Sequence, residues 1–290
     1  MSLNLPGVTR GTGRGGLDVY RIDTDACTGE MYDLGAHVTS WRPRGHDEVL
    51  WVSDESPYAL GDNIRGGIPL CAPWFGVGRP GLNPPQAHGF VRDLTWTLVS
   101  AHAGGAGVTL DWELAPSAWH GSPGADLVPP DLSFAYSITF GERLVSRLSF
   151  IAGTRPVTID AALHTYLAVT DVRAATVEGL DGARYFDNVS KRTGLRQVGE
   201  LTFCGPTDAV FDSTASVTLV DAHRRVRIDK DGSASTVVWN PWRHGAAAMD
   251  HFGDDEWAHM VCIEPANAFA SAVLVPAGGR ASIVQTLSVS

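Results

Sequence analysis

The chain is short of charge, of helical pattern and of paired cysteines. Charged residues are 19% of its 290 positions, and acidic residues outnumber basic ones by 32 to 22, a formal net charge of −10. A nucleic-acid surface needs a basic stripe to displace phosphate counterions, so the balance argues against that class of partner, and none is expected. The four cysteines, Cys27, Cys71, Cys204 and Cys262, form no C-x-x-C pair and are irregularly spaced, which predicts reduced thiols. No apolar run approaches the ~20 residues of a membrane span. The opening MSLNLPGVTRGTGRGG has no apolar h-region, so no signal peptide is expected. The expectation is a cytoplasmic protein with no membrane partner, in which the sequon at Asn188 stays unglycosylated. The ten histidines show no H-x-H, H-x-x-x-H or Cys/His cluster, and neither a metal nor another cofactor is expected. A G-x-S-x-G elbow is missing as well. Gly11–Gly16 spells G-x-G-x-x-G, but strand-like LDVYRID follows where a dinucleotide fold opens a helix, so it reads as a turn.

What the chain has is alternation. Residues 132–140, LSFAYSITF, place Leu132, Phe134, Tyr136, Ile138 and Phe140 on one side. Segments 108–114, 144–151, 157–169, 217–220, 225–229, 235–239 and 281–288 are strand-like too, bounded by Gly, Pro, Asp or Asn. One short helical stretch is expected, Asp254–Met260. Many short strands without βα alternation predict an all-β sandwich or barrel. The Pro/Gly-rich stretch 73–85 is predicted as a loop and 115–130 as a mobile excursion. Neither divides the chain, so residues 1–290 are read as a single domain. With 44% apolar residues, nine Trp and ten Phe, such a domain can bury a large core or line a cleft with aromatics.

Four segments place functional groups where a β-fold has loops and strand ends. Arg65 precedes a Gly-Gly turn and an apolar run. His88 and Arg92 flank the Gly-Phe of AHGFVRD. His164 and Tyr166 share one face of a strand-like segment, opposite Leu163, Thr165 and Leu167. Glu264 ends the run MVCI just before Pro265. Burial raises a carboxyl pKa, which is how a general acid or base is tuned. Taken singly, each has a plain structural reading: a solvated loop charge, a satisfied core histidine, an ion-paired strand-end glutamate.

Together the segments resemble the glucose-6-phosphate 1-epimerases (hexose-6-phosphate mutarotases) of the aldose 1-epimerase superfamily. The likeness rests on RGGIPLCAPWFG, HGFVRD, VVWNPW and VCIEPAN, with His164–Tyr166, Gly179-Leu180, Tyr185–Asp187 and Thr207–Phe211 in family order among them. The resemblance implies a large antiparallel β-supersandwich of the galactose mutarotase type. It implies His164 as general acid and Glu264 as general base. It implies Arg65 and Arg92 as phosphate ligands, Asp208 on sugar hydroxyls and His88 beside the ring. Two positions depart from the family pattern. Ala87 stands where relatives often have Gln, with Gln86 one position earlier. Asn188 follows Tyr185-Phe186-Asp187 where many relatives have Lys, leaving Lys191 or Arg192 as nearby replacements.

The implied reaction is mutarotation. A base takes the C1 hydroxyl proton, an acid protonates the ring oxygen, and the opened aldehyde rotates and recloses, without metal, nucleotide or covalent intermediate. The imidazole must then carry a proton at neutral pH. Paired guanidiniums suit a phosphate and supply a local positive patch on an acidic protein. Trp74, Phe75, Phe90 and Trp242 are candidates for packing on the sugar or in the core. The implied partner is a small-molecule sugar phosphate, and the expected assembly a monomer or weak homo-oligomer. Mutarotation of an unphosphorylated aldose and non-catalytic sugar binding stand as the alternatives.

Overall fold

Alternation in sequence becomes alternation in burial. The computed structural model describes residues 5–290. Along Ser133–Phe140, Phe134, Tyr136, Ile138 and Phe140 are at most 1% exposed, because a strand sends successive side chains to opposite faces. Gly107–Leu114, Leu144–Ile151 and Arg280–Val289 repeat the pattern, and the four strands pair side by side within a nine-stranded sheet. A second, eight-stranded sheet runs in the order Arg192–Arg196, Arg184–Asp187, Thr207–Asp212, Ser235–Asn240, Met260–Asn267, Ala161–Leu163, Leu70–Cys71. Tyr166–Ala168 also pairs with Met260–Asn267. A four-stranded meander over residues 8–43 and a pair formed by Val157–Ile159 and Val273–Val275 complete the architecture. The ladders between these strands are antiparallel throughout. One contiguous apolar cluster runs from Val8 to Leu287. Thr165, on the core face of the eight-stranded sheet, donates a 2.8 Å hydrogen bond to Gln285 in the nine-stranded one.

The all-β expectation holds, and the helical turns are three to five residues long. The stretch expected as helical, Asp254–Met260, is a 3₁₀ turn at Glu256–His259. Residues 157–169 form three strands rather than one. The chain changes partners at Asp160, whose buried carboxylate meets Arg79 at 2.9 Å. The ladder opens again at His164, whose N–H turns to Pro69 O. Segment 115–130 is anchored, in contrast to the mobile excursion expected. It contains the helical turn Pro116–Trp119, and Trp119 is 1% exposed, stacked on Phe90 with its indole N–H on Leu132 O at 3.1 Å. The four cysteines are free thiols. Among the described residues no helix is long and apolar enough to cross a membrane.

Candidate active site

Sheet register builds the floor of the site. Ala162 pairs with Ala266, and Tyr166 with Cys262. Both pairs sum to 428, so the register does not slip across the gap between them and His164 stands opposite Glu264. On its other side Glu264 pairs with Val237, and Val237 with Val210; two residues along, Cys262 pairs with Trp239, and Trp239 with Asp208. Directly paired residues, and residues two apart, share a face. Two rows result: His164, Glu264, Val237, Val210, and beside it Tyr166, Cys262, Trp239, Asp208. All but Cys262 line a cavity of about 340 Å³, a size suited to a small ligand.

Loops build the walls. The turn after Arg65 is fixed by Gly67, whose φ is +62° and where a Cβ would lie 2.1 Å from Val38 O, so only glycine fits. His37 locks the same turn by donating Nε2–H to Gly66 O at 2.7 Å. Arg65 reaches the cavity from there, with its Nε unpartnered and one terminal nitrogen 3.5 Å from Asp250 O. In the HGF motif Gly89, at φ +71°, would bring a Cβ within 1.8 Å of Ala72 O. His88 accepts from the Gly76 N–H on Nδ1 at 3.2 Å, which leaves the ring proton on Nε2. Its ring stands edge-on to those of Phe75 and His164, at 5.0 and 5.4 Å. From the opposite wall Asn188 donates to Asp208 Oδ2 at 2.5 Å, and Lys191 donates to Asn188 Oδ1 at 2.6 Å.

At the floor, His164 Nδ1 lies 3.5 Å from Glu264 Oε1, and the imidazole stacks on Tyr166 with centroids 4.9 Å apart. Glu264 is 1% exposed. Neither of its carboxyl oxygens, nor His164 Nδ1, has a hydrogen-bond partner within the protein. Orphaned buried polar atoms are costly, and three in one place mark a site kept for a ligand. Burial, and then the charge of Asp208, push the Glu264 carboxyl well above the usual range. Burial, then Arg92 and Arg65, push His164 down to about 3. Both shifts disfavour a charged pair, so a shared proton favours the carboxyl over the imidazole. The sequence reading asks for a protonated imidazole; a desolvated floor and two guanidiniums reverse that in the protein alone. The Cys262 thiol beside them is held protonated by burial. Donor atoms of His164, Cys262 and Glu264 lie within 4.8 Å of one another, a grouping able to hold a metal ion. The wide spacing of these residues in the chain hid it from motif analysis.

The structure thus brings Arg65, His88, His164, Asp208 and Glu264 to one cavity. It does not bring Arg92 to the wall. That side chain, in the 3₁₀ turn Val91–Asp93, is 15% exposed with its Nε 3.7 Å from Asp93, and reaches His88, His164 and Glu264 through its field. Gln86 is tied behind the HGF turn, donating to Gly89 O at 2.7 Å and to Asp93 Oδ2 at 3.3 Å. Lys191 lines the cavity and Arg192 does not. Of the four candidate aromatics, Phe75 lines the cavity, Trp74 and Phe90 are core, and Trp242 packs on Trp257 at 4.4 Å. Trp239 and Phe269 line it unforeseen. The alternation of Val237 and Trp239 was a usable signal for the first; the irregular turn around Phe269 offers none.

Residues 18–288 match the family Aldose 1-epimerase. A protein of Escherichia coli (strain K12), provisionally named glucose-6-phosphate 1-epimerase, is 33% identical over 257 residues, 87% of this chain and 84% of that one. A protein of the same provisional name from Cenchrus ciliaris is 30% identical over 254 residues, 83% and 75% of the two chains. The crystal structure of a provisionally assigned mutarotase from Salmonella typhimurium superposes with a TM-score of 0.88 at 28% identity, covering 100% of this chain and 96% of that one. Galactose 1-epimerase from Lactobacillus acidophilus NCFM shares the fold, with a TM-score of 0.69 at 11% identity over 98% of each chain. A galactose mutarotase-like β-fold, matched in sequence over nearly its whole length, means that the chain belongs to the aldose 1-epimerase family and is an isomerase, a mutarotase of hexoses.

Proposed function

We propose that the protein interconverts the α and β anomers of a hexose 6-phosphate, glucose 6-phosphate first among them, by acid–base ring opening. The observation that carries this reading is the opposition of His164 and Glu264 on one sheet face beneath the cavity. The Glu264 carboxylate takes the C1 hydroxyl proton as the His164 imidazolium protonates the ring oxygen. The C1–O5 bond breaks, the aldehyde turns about C1–C2, and the same two transfers run backwards on the other face. Each group ends as it began. The cycle needs one proton shared by the two groups, and in the protein alone it favours Glu264. It reaches His164 along the 3.5 Å line between Nδ1 and Oε1. Asp208, braced by Asn188, and the His88 Nε2–H address sugar hydroxyls, and Arg65 takes the phosphate. The names of the curated relatives support the phosphorylated substrate.

A second reading, an unphosphorylated hexose, is favoured by the position of Arg92 off the cavity wall. Anomer equilibration of glucose 6-phosphate and of galactose, followed by polarimetry or NMR exchange with and without protein, separates the two. Faster catalysis of the phosphorylated sugar is expected. The reverse order moves the second reading ahead, and no acceleration of either sugar removes both.

A further inference from the structure

Residues 188–191 connect the strands Arg184–Asp187 and Arg192–Arg196, whose last ladder pair is Asp187 with Arg192. The Asp187 carboxylate closes this turn by accepting from the Val189 and Ser190 N–H groups and from the Ser190 hydroxyl. Its last residue, Lys191, has φ +58°. That is the left-handed position such turns give to glycine or asparagine, because a Cβ crowds the backbone there. A lysine in it is a local strain, and strain of this kind clusters at functional sites. His88 and Phe269, also at positive φ, line the same cavity.

The charges around the cavity give the strained lysine a purpose. Among the described residues that line it, Arg65 and Lys191 are the side chains with a fixed positive charge. The histidines there, His88 and His164, carry no fixed charge, and Arg92 lies off the wall against Asp93. The Lys191 ammonium has three donors on a flexible stem. One is spent on Asn188 Oδ1, and two are left to point at an anion.

We propose that Lys191 is a specificity-determining residue, which with Arg65 grips the phosphate of a sugar 6-phosphate from the opposite wall. This rests on the mutarotase reading with a phosphorylated substrate. The test compares wild type with Lys191→Gly, Lys191→Met and Lys191→Arg. Initial rates of anomer conversion are measured with glucose 6-phosphate and with glucose, and glucose 6-phosphate binding by calorimetry. For the Gly and Met variants, KM and Kd for glucose 6-phosphate should rise roughly tenfold or more relative to KM for glucose, the worth of a charge-assisted hydrogen bond, with kcat within a few-fold. The Arg variant should recover most of the loss. The Gly variant should be at least as stable as wild type, since glycine takes this φ without strain, so its weaker binding cannot come from unfolding. A KM ratio and a Kd within twofold of wild type in both the Gly and Met variants overturn the assignment, as does an equal rise for both sugars. If wild type accelerates neither sugar, the mutarotase reading is what fails. If wild type is active on glucose 6-phosphate and the variants bind it undiminished, the role of Lys191 alone falls.

Discussion

His164 and Glu264 are buried 3.5 Å apart, and in the mechanism proposed above each hands a proton over and takes it back within a turnover. His164→Asn and Glu264→Gln should each lower kcat by roughly 10²–10⁴-fold, the usual worth of one general acid or base. Circular dichroism should show the fold retained, and near-wild-type turnover in either variant removes that residue from the mechanism. His37 tests a different property, the cost of a neutral buried imidazole. Burial pushes its pKa down to about 4. The unfolded chain binds a proton near ~6.5, so between there and about 4 the unfolded state holds more protons than the folded one. Stability must then fall as pH drops through that window, by up to about 3 kcal/mol from this one group. His37→Gln keeps an N–H donor for Gly66 O and does not titrate. The wild-type advantage over this variant in urea unfolding should shrink by about 2 kcal/mol between pH 7 and pH 4.5, and a constant difference contradicts the linkage.

At the scale of elements, Asn240 fastens one strand of the floor to the next. It is fully buried, donates to Trp257 O and Met260 O at 2.8 Å each, and accepts from the Trp242 N–H at 2.8 Å. Asn240→Leu strands two carbonyls, Trp257 O in the 3₁₀ turn and Met260 O at the start of Met260–Asn267. It should cost about 3 kcal/mol, read as a lower denaturant midpoint at unchanged slope; an unmoved midpoint means the carbonyls find other donors. The strands themselves were legible because alternation is a local signal, and the shared face of His164 and Tyr166 followed from it. The opposition of His164 and Glu264 was not, because register between strands a hundred positions apart is fixed by tertiary pairing. The breaks at Asp160 and His164 escaped the apolar pattern for a related reason: one is an ion pair with Arg79 and the other a backbone bond to Pro69. Motifs supplied residue types without directions. The HGFVRD segment carries an arginine that turns toward Asp93, whereas a left-handed turn with no motif of its own delivers Lys191 to the cavity.

The whole molecule carries a net charge of −10, and on the proposed reading a sugar phosphate dianion crosses that field before Arg65 holds it. The repulsion acts over the full radius of the protein, well beyond the Debye length of ~8–10 Å near physiological salt, whereas the grip at the wall acts within it. Moderate salt should screen the first more than the second. kcat/KM for glucose 6-phosphate should therefore rise between 20 and 200 mM potassium chloride (about 20 and 7 Å of screening), while that for galactose stays level. A fall for the phosphate ester means that long-range attraction dominates instead. The constant register across the gap at His164 also has a kinetic meaning. Two residues that meet only when the strand at 260–267 has docked are a contact of very long loop, of the kind that forms late and slowly. Most of the other ladders, those of the nine-stranded sheet among them, can form before that strand is seated, but turnover cannot. During refolding, recovery of catalysis should lag recovery of most of the far-ultraviolet signal, which makes the enzyme's own activity a clock for the seating of that strand.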